Sequence, residues 1–229
     1  MTKRWALIGA LLLCARGLFA GDVANFLNLG FSPDAKYFLF GEYGVNGSSN
    51  PYADLFGVDV SSNRFVPNGV RSKTYPVHAH PGQDGLGALF TLYSDYLPVS
   101  RRHHIDHLMT GRDLYLRVDG SRPPSRLEFR DFLKNTRYTV ALDQHSYGSG
   151  KSVSSSFSIA LTVQDSKGKS FHYTVGLPSY RRSGVESYRI KKIILAPDNR
   201  SLVFVIEKHE LDKDGVNVRY MVETVRTGL

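Results

Sequence analysis

The chain has 229 residues, of which 29 are Lys or Arg, 21 are Asp or Glu, and only one is Cys. Its content of 41% hydrophobic and 12% aromatic residues is too high for an intrinsically disordered chain. The single cysteine excludes both a disulfide-stapled fold and a cysteine-ligated zinc or iron–sulfur site.

Residues 1–20 have the pattern of a secretory signal peptide. Two basic residues precede the apolar stretch 5–13, and Ala20 supplies the small residue typical of a cleavage site. The apolar stretch is much shorter than the roughly 20 residues that span a membrane. A membrane anchor and a lipoprotein attached through Cys14 are alternatives, although Leu13 stands where a lipoprotein needs a small residue. The pattern therefore predicts export, with a periplasmic or secreted product.

Removal of residues 1–20 leaves a chain without cysteine. The cleaved segment carries Lys3, Arg4 and Arg16 and no acid, so 26 basic residues remain against 21 acidic ones, a net charge of +5. This mild excess is compatible with a solvated surface or with an anionic neighbour such as a membrane surface or a glycan. No later stretch approaches the length of a transmembrane span.

The rest of the chain consists mostly of short segments with strand character. Apolar residues at Phe157, Ile159, Leu161 and Val163 alternate with small or polar ones, as in a half-buried antiparallel strand. Glycine-containing turns at 165–168 and 212–215 predict hairpin connections. The predicted strands are 36–40, 54–60, 114–118, 138–142, 157–163, 171–177, 190–195, 202–206 and 216–225.

One segment has helical spacing instead. Apolar residues between 84 and 97 recur every three or four positions, with Asp84 as a plausible N-cap and Pro98 as the stop. A second short helix is predicted over 100–109, closed by Gly111.

The sequence contains one internal echo. The segment 31–40 (FSPDAKYFLF) aligns with 195–204 (LAPDNRSLVF), and each places a Pro-Asp turn and a basic residue before an apolar strand. This predicts two structurally equivalent hairpins that lie close together, with Phe40 and Phe204 buried. Chance recurrence of a common turn is the alternative.

These hairpins resemble the repeated half-blade of TolB-like propellers. The chain also resembles a family of bacterial predicted secreted proteins of unknown function, although Ala35 stands where the usual turn has glycine. The resemblance implies export and a β-rich fold, and it implies no activity or catalytic residue. The segments that carry the resemblance are 21–22, 28–34, 37–41, 50–52 and 188–190.

Histidines are the strongest candidates for metal chemistry, because four imidazoles could ligate zinc or copper. If Ile105, Leu108 and Met109 face inward on the second helix, His103 and His107 face solvent. The neighbouring Arg101 and Arg102 disfavour a cation there. A solvated basic helix face is therefore the alternative. The candidate metal ligands are His78, His80, His103 and His107.

Other motifs are incomplete. The segment 148–152 resembles the end of a phosphate-binding loop, but His145 stands where that loop needs glycine and a strand follows it. Asp212, Asp214 and Asn217 match only part of a calcium loop. No G-x-S-x-G nucleophile motif occurs, and the basic residues between 122 and 137 lack a nucleic-acid-binding motif.

The sequence thus predicts a mainly β, antiparallel fold, propeller-like or sandwich-like, with one principal helical insertion. Residues 21–229 are expected to form a single β-rich domain. We expect a non-catalytic binding or scaffolding module of the bacterial envelope, with another envelope protein or a glycan as partner and with no nucleic acid and no cofactor. The alternative is a metal-dependent hydrolase that uses the four histidines.

Overall fold

The computed structural model describes residues 21–212 and 215–228 and confirms a mainly β, antiparallel fold with one α-helix. The predicted signal peptide, residues 1–20, lies outside the described residues, as do residues 213 and 214 of the last predicted hairpin.

The first four strands form an antiparallel meander that we call sheet 1, with strand order β1-β2-β3-β4. A helix and one further strand follow sheet 1 along the chain. The elements are β1 (Asn25–Phe31), β2 (Tyr37–Val45), β3 (Pro51–Asp59), β4 (Arg64–Thr74), α1 (Leu86–Arg102) and β5 (Arg112–Leu116).

The remaining strands build two more antiparallel sheets. In sheet 2, β7 and β8 are central, and β9 and β10 both pair with β8. Sheet 3 has the order β13-β12-β11-β5, so β5 pairs with a strand that follows much later in the chain. The elements are β6 (Arg126–Asp131), β7 (Thr136–Tyr147), β8 (Ser154–Gln164), β9 (Ser170–Val175), β10 (Arg182–Ser183), β11 (Val185–Leu195), β12 (Ser201–Asp212) and β13 (Gly215–Arg226).

Sheet 3 is the middle layer, because alternate residues of β12 pack in opposite directions. Phe204 belongs to a core shared with sheet 2, whereas Val203 and Val205 belong to a core shared with sheet 1. A third core lies between α1 and the other face of sheet 1, around Leu39 and Tyr96. This face-to-face packing is sandwich-like, and the propeller-like detail is not confirmed.

The strand predictions missed β4, β6 and the short β10, and they included β1 only as the strand before the first Pro-Asp turn. β4 shows why: nine of its eleven residues are exposed, and it pairs only with β3, at an edge of sheet 1. The register slips near Pro67 and Asn68, where Asn68 has a φ of 56°. An irregular edge strand of this kind lacks the alternation by which strands are recognised.

The helix prediction was wrong at its C-terminal end. α1 does not stop at Pro98 but continues through it to Arg102. Proline removes one helical hydrogen bond, but Tyr96 and Val99 lie on either side of it and are buried against sheet 1. Their burial offsets the lost bond.

The second predicted helix, 100–109, does not form. The chain turns at His104, whose φ is 51°, and continues as an irregular segment. Its three apolar residues were expected to face inward, yet Leu108 is 92% exposed. A segment this short, with only three apolar residues, does not form a stable helix unless tertiary contacts support it.

The internal echo is confirmed at the level of individual hydrogen bonds. In the first hairpin the Ala35 N–H donates to the Ser32 carbonyl at 2.8 Å, and in the second the Asn199 N–H donates to the Ala196 carbonyl at 2.9 Å. Ala35 and Asn199 have φ values of 56° and 55°. Residues of both hairpins contribute to the core between sheets 1 and 3, so the two hairpins lie close together.

Candidate functional site

A polar cleft of about 510 Å³ lies over sheet 3 beside its contact with sheet 1. Glu207 and His209 continue the row of Val203 and Val205 along one face of β12, because alternate residues of a strand share a face. Val203 and Val205 pack against sheet 1, whereas Glu207 and His209 line the cleft. The other walls are residues 23–26, the end of β5 with residues 117–120, part of β11, and β13 at Val218 and Tyr220.

A buried ion pair forms the floor of the cleft. Arg117 Nη2 lies 2.5 Å from both carboxylate oxygens of Glu207, and the two residues are 6% and 4% exposed. Burial alone would raise the pKa of Glu207, but His209 and Arg117 outweigh it and hold that pKa below its ordinary value. The carboxylate is therefore ionised and fixes the guanidinium in place.

Cations outnumber carboxylates in the lining. Four of the lining residues are cationic and two are acidic. The cationic residues are Arg117, Arg189, Lys191 and Lys192, and the acidic ones are Asp119 and Glu207. Lys191 bonds Asp119 and lies 3.9 Å from Glu207. Within the described chain Arg189 has no ion pair, although it stands opposite Glu207 in the pairing of β11 with β12. Lys192 pairs with Asp113, just outside the lining, at 2.9 Å, so Arg189 is the lining cation that no carboxylate of the described residues neutralises.

Two buried nitrogen atoms of the cleft lack a hydrogen-bond partner among the described residues. One is Nε of Arg117, and the other is Nε2 of His209, whose contact with a Glu207 carboxylate oxygen, at 3.5 Å, is at the long limit of hydrogen bonding. Buried polar groups without partners are uncommon. Both atoms could be satisfied by an acceptor that enters the cleft.

The wall formed by residues 23–26 is anchored to β13. Val23 forms a parallel bridge with Val218, and the Ala24 N–H donates to the Val218 carbonyl at 3.0 Å. Just before this wall, the Asp22 carboxylate accepts hydrogen bonds from both terminal nitrogens of Arg219. These contacts fix one side of the cleft.

A buried carboxyl group ties sheet 1 to the same strand. Glu42, 3% exposed, accepts a hydrogen bond from the Tyr220 N–H at 2.5 Å and faces Asp54 across the β2–β3 pairing. Burial raises the pKa of Glu42 to about 8, and the Asp54 charge acts in the same direction. The Tyr220 N–H, Lys208 and Arg219 oppose it. Glu42 is therefore protonated at neutral pH.

This protonation predicts a pH-dependent stability. Between the ordinary pKa of 4.5 and about 8, folded Glu42 holds a proton that the unfolded chain has released. The contribution of Glu42 to the free energy of unfolding should therefore be largest below 4.5 and fall as pH rises toward 8. Chemical denaturation measured over this range should show a steeper fall for the natural chain than for Glu42→Gln, whose neutral amide does not titrate. The exposed Glu128→Gln serves as the control, and equal slopes for the natural chain and Glu42→Gln would contradict the assignment.

The four predicted histidines fall in two different regions. His78 and His80 are exposed on the segment between β4 and α1. His103 follows the last residue of α1 and packs on the Tyr37 ring with centroids 4.3 Å apart. Burial lowers the pKa of His103, and Arg102 adds to that effect.

His107 is engaged through both ring nitrogens. Nε2 lies 2.5 Å from the Tyr93 hydroxyl, and Nδ1 lies 2.5 Å from the Leu29 carbonyl. A metal ion at His107 would have to replace one of these contacts. Nowhere in residues 21–212 or 215–228 do three or more His, Cys, Asp or Glu side chains form a group that could hold a metal ion. The proposed metal-dependent hydrolase stays an untested prediction.

The predicted site residues did not include the cleft. Its buried members Arg117, Glu207 and His209 come from β12 and from the segment after β5. One signal was present in the sequence: the charged run 207–210 directly follows the apolar strand 202–206. Alternation along that strand would have placed Glu207 and His209 on the same face as two buried valines.

Comparison with known proteins gives one match. A family model described as "Predicted secreted protein (DUF2259)" matches residues 39–226. No curated protein and no solved structure matches the chain.

Within the described ranges, no helix has both the length and the apolar character needed to cross a bilayer. Because the family model covers most of the sequence, this chain belongs to the DUF2259 family of predicted secreted proteins, whose function is unknown.

Proposed function

We propose that this secreted chain is a non-catalytic binding module that takes an anionic group of its partner into the cleft on sheet 3. The observation that carries the proposal is the composition of the cleft, whose lining has four cationic side chains and two carboxylates and leaves Arg189 without an ion pair among the described residues. Glycans and envelope proteins, the two partner classes expected from the sequence, can both present such groups.

The burial of the ion pair supports binding. Arg117 is held by Glu207 at two short contacts, so its orientation is fixed before a ligand arrives. Preorganised donors lose little conformational entropy on binding. Arg189 is only partly buried and, within the described chain, has no ion pair, whereas the partly buried Lys191 and Lys192 pair with Asp119 and Asp113.

Sulfate, a simple anion, provides the test. Replacing chloride by sulfate at constant ionic strength should raise the Tm of the natural chain with saturation, because a ligand that binds only the folded state stabilises it. Arg189→Gln should show a smaller rise, whereas Arg137→Gln, at an exposed position on β7, should behave like the natural chain.

The comparison between variants is essential, because sulfate also stabilises proteins through exclusion from their surface. That general effect should be the same for Arg189→Gln and Arg137→Gln, since both lose one positive charge. An identical sulfate response in the two variants would contradict anion binding in the cleft.

A further inference from the structure

A second cavity, of about 310 Å³, lies between sheets 2 and 3 at the end of their shared core. We call it the apolar slot. Leu127 and Val140 of sheet 2 face Tyr188 and Ile190 of sheet 3, and all four side chains are buried. Leu142, half-buried, also lines it. The slot is thus an accessible continuation of the hydrophobic core.

Arg189 lines both the apolar slot and the cleft on sheet 3. β5 pairs with β11 only over residues 192–195, and the Arg117 N–H donates to the Lys191 carbonyl at 2.8 Å as the chain leaves β5. β11 therefore extends beyond β5, and the two cavities lie on either side of this extension.

Contacts from sheet 2 hold the slot in shape. The Gln144 side chain accepts a hydrogen bond from the Tyr188 N–H at 2.8 Å and donates to the Tyr188 carbonyl at 3.3 Å. The Ser146 hydroxyl donates to the Glu186 carbonyl at 2.9 Å. These bonds join β7 to the free edge of β11, so the two sheets are fixed beside the slot.

We propose that the ligand is an anionic amphiphile whose charged head enters the cleft and whose aliphatic chain enters the slot. This inference rests on the proposed function and adds the chemistry of the second half of the ligand. Each cavity alone falls within or near the usual size range of small-molecule sites, about 300–1,000 Å³.

The occupant is chosen from the character of the two cavities. A polar glycan would satisfy the cleft but would gain nothing from the buried apolar side chains of the slot. An aliphatic chain gains affinity there, while an anionic head pairs with the guanidinium of Arg189. Arg189 suits the junction, because arginine can place its apolar stem along hydrophobic surface and its charge in a polar cavity.

Isothermal titration calorimetry with straight-chain carboxylates tests the proposal. The series runs from butanoate to decanoate, with each compound kept below its critical micelle concentration. Each added methylene that enters the slot should tighten Kd about fourfold, until the slot is full. Alkyltrimethylammonium ions of the same lengths should bind much more weakly. This series uses the natural chain and depends on no variant.

Two substitutions locate the binding. Leu142→Trp should fill part of the slot and flatten the dependence on chain length, whereas Leu133→Trp, 78% exposed at the β6–β7 turn, should leave it unchanged. Arg189→Gln should weaken every carboxylate by a similar factor. Thermal unfolding shows whether the Leu142 variant is folded.

The outcomes separate the two proposals. Carboxylate binding that requires Arg189 but is independent of chain length would overturn the amphiphile and leave the anion-binding function standing. Binding that grows with chain length but is equal for carboxylates and ammonium ions, and indifferent to Arg189→Gln, would overturn both. A chain-length dependence that survives Leu142→Trp unchanged would exclude the slot and overturn the inference.

Discussion

Replacing Arg117 with methionine is expected to lower the free energy of unfolding by about 3–5 kcal/mol. The substitution leaves Glu207 buried at 4% exposure without the guanidinium that bonds both of its oxygens. Lys191, 3.9 Å from the carboxylate, compensates only in part. Urea denaturation at neutral pH measures the loss as a lower midpoint.

The loss should come from the uncompensated charge rather than from missing side-chain volume. The double variant Arg117→Met/Glu207→Leu removes both charges and should recover most of the stability, because apolar pairs often replace buried ion pairs without cost. The matched control is Arg126→Met, which breaks an exposed pair with Glu128 and should cost less than about 1 kcal/mol. A double variant no more stable than Arg117→Met would contradict this explanation.

Much of the fold was predictable because its strongest signals are local. The alternation from Phe157 to Val163 identified β8, and all four of these apolar side chains are buried. The Pro-Asp turns predicted both hairpins, since proline and aspartate act on their immediate neighbours. β4 was not predicted, because an exposed edge strand lacks the alternating apolar pattern of a half-buried strand.

The candidate site was harder to predict from the sequence than the fold. A charged residue in a strand ordinarily indicates a solvent-facing position, yet Glu207 is buried by groups that come from distant segments, Arg117 above all. Nothing near either residue in the sequence shows that pairing. The order of strands in sheet 3, with β5 beside β11, brings them together.

The predicted placement of His103 and His107 on one helix was wrong for a related reason. It placed His103 and His107 one turn apart on a helix, whereas α1 ends at Arg102 and the chain reverses at His104. As a result the two histidines have different contacts: the His103 ring packs on Tyr37, and His107 bonds the Tyr93 hydroxyl. Tertiary packing decided where the helix ended, and spacing along the sequence did not.

Truncating Phe204 to alanine is expected to cost about 3–5 kcal/mol, the usual loss for a large buried aromatic side chain. Phe204 is 0% exposed on the central strand β12 and lies in the core that joins sheets 2 and 3. Its counterpart in the first hairpin, Phe40, is 1% exposed and lies in the core that joins sheets 1 and 3, so Phe40→Ala should cost a similar amount.

Phe132, 82% exposed, provides the matched control, and Phe132→Ala should change the free energy of unfolding by less than about 0.5 kcal/mol. Because sheet 3 contributes to both cores, either core variant should lower the denaturation midpoint of the whole β structure, measured by far-UV circular dichroism. A loss of stability at Phe40 with none at Phe204 would show that the second hairpin, although equivalent in its turn, does not have the same place in the core.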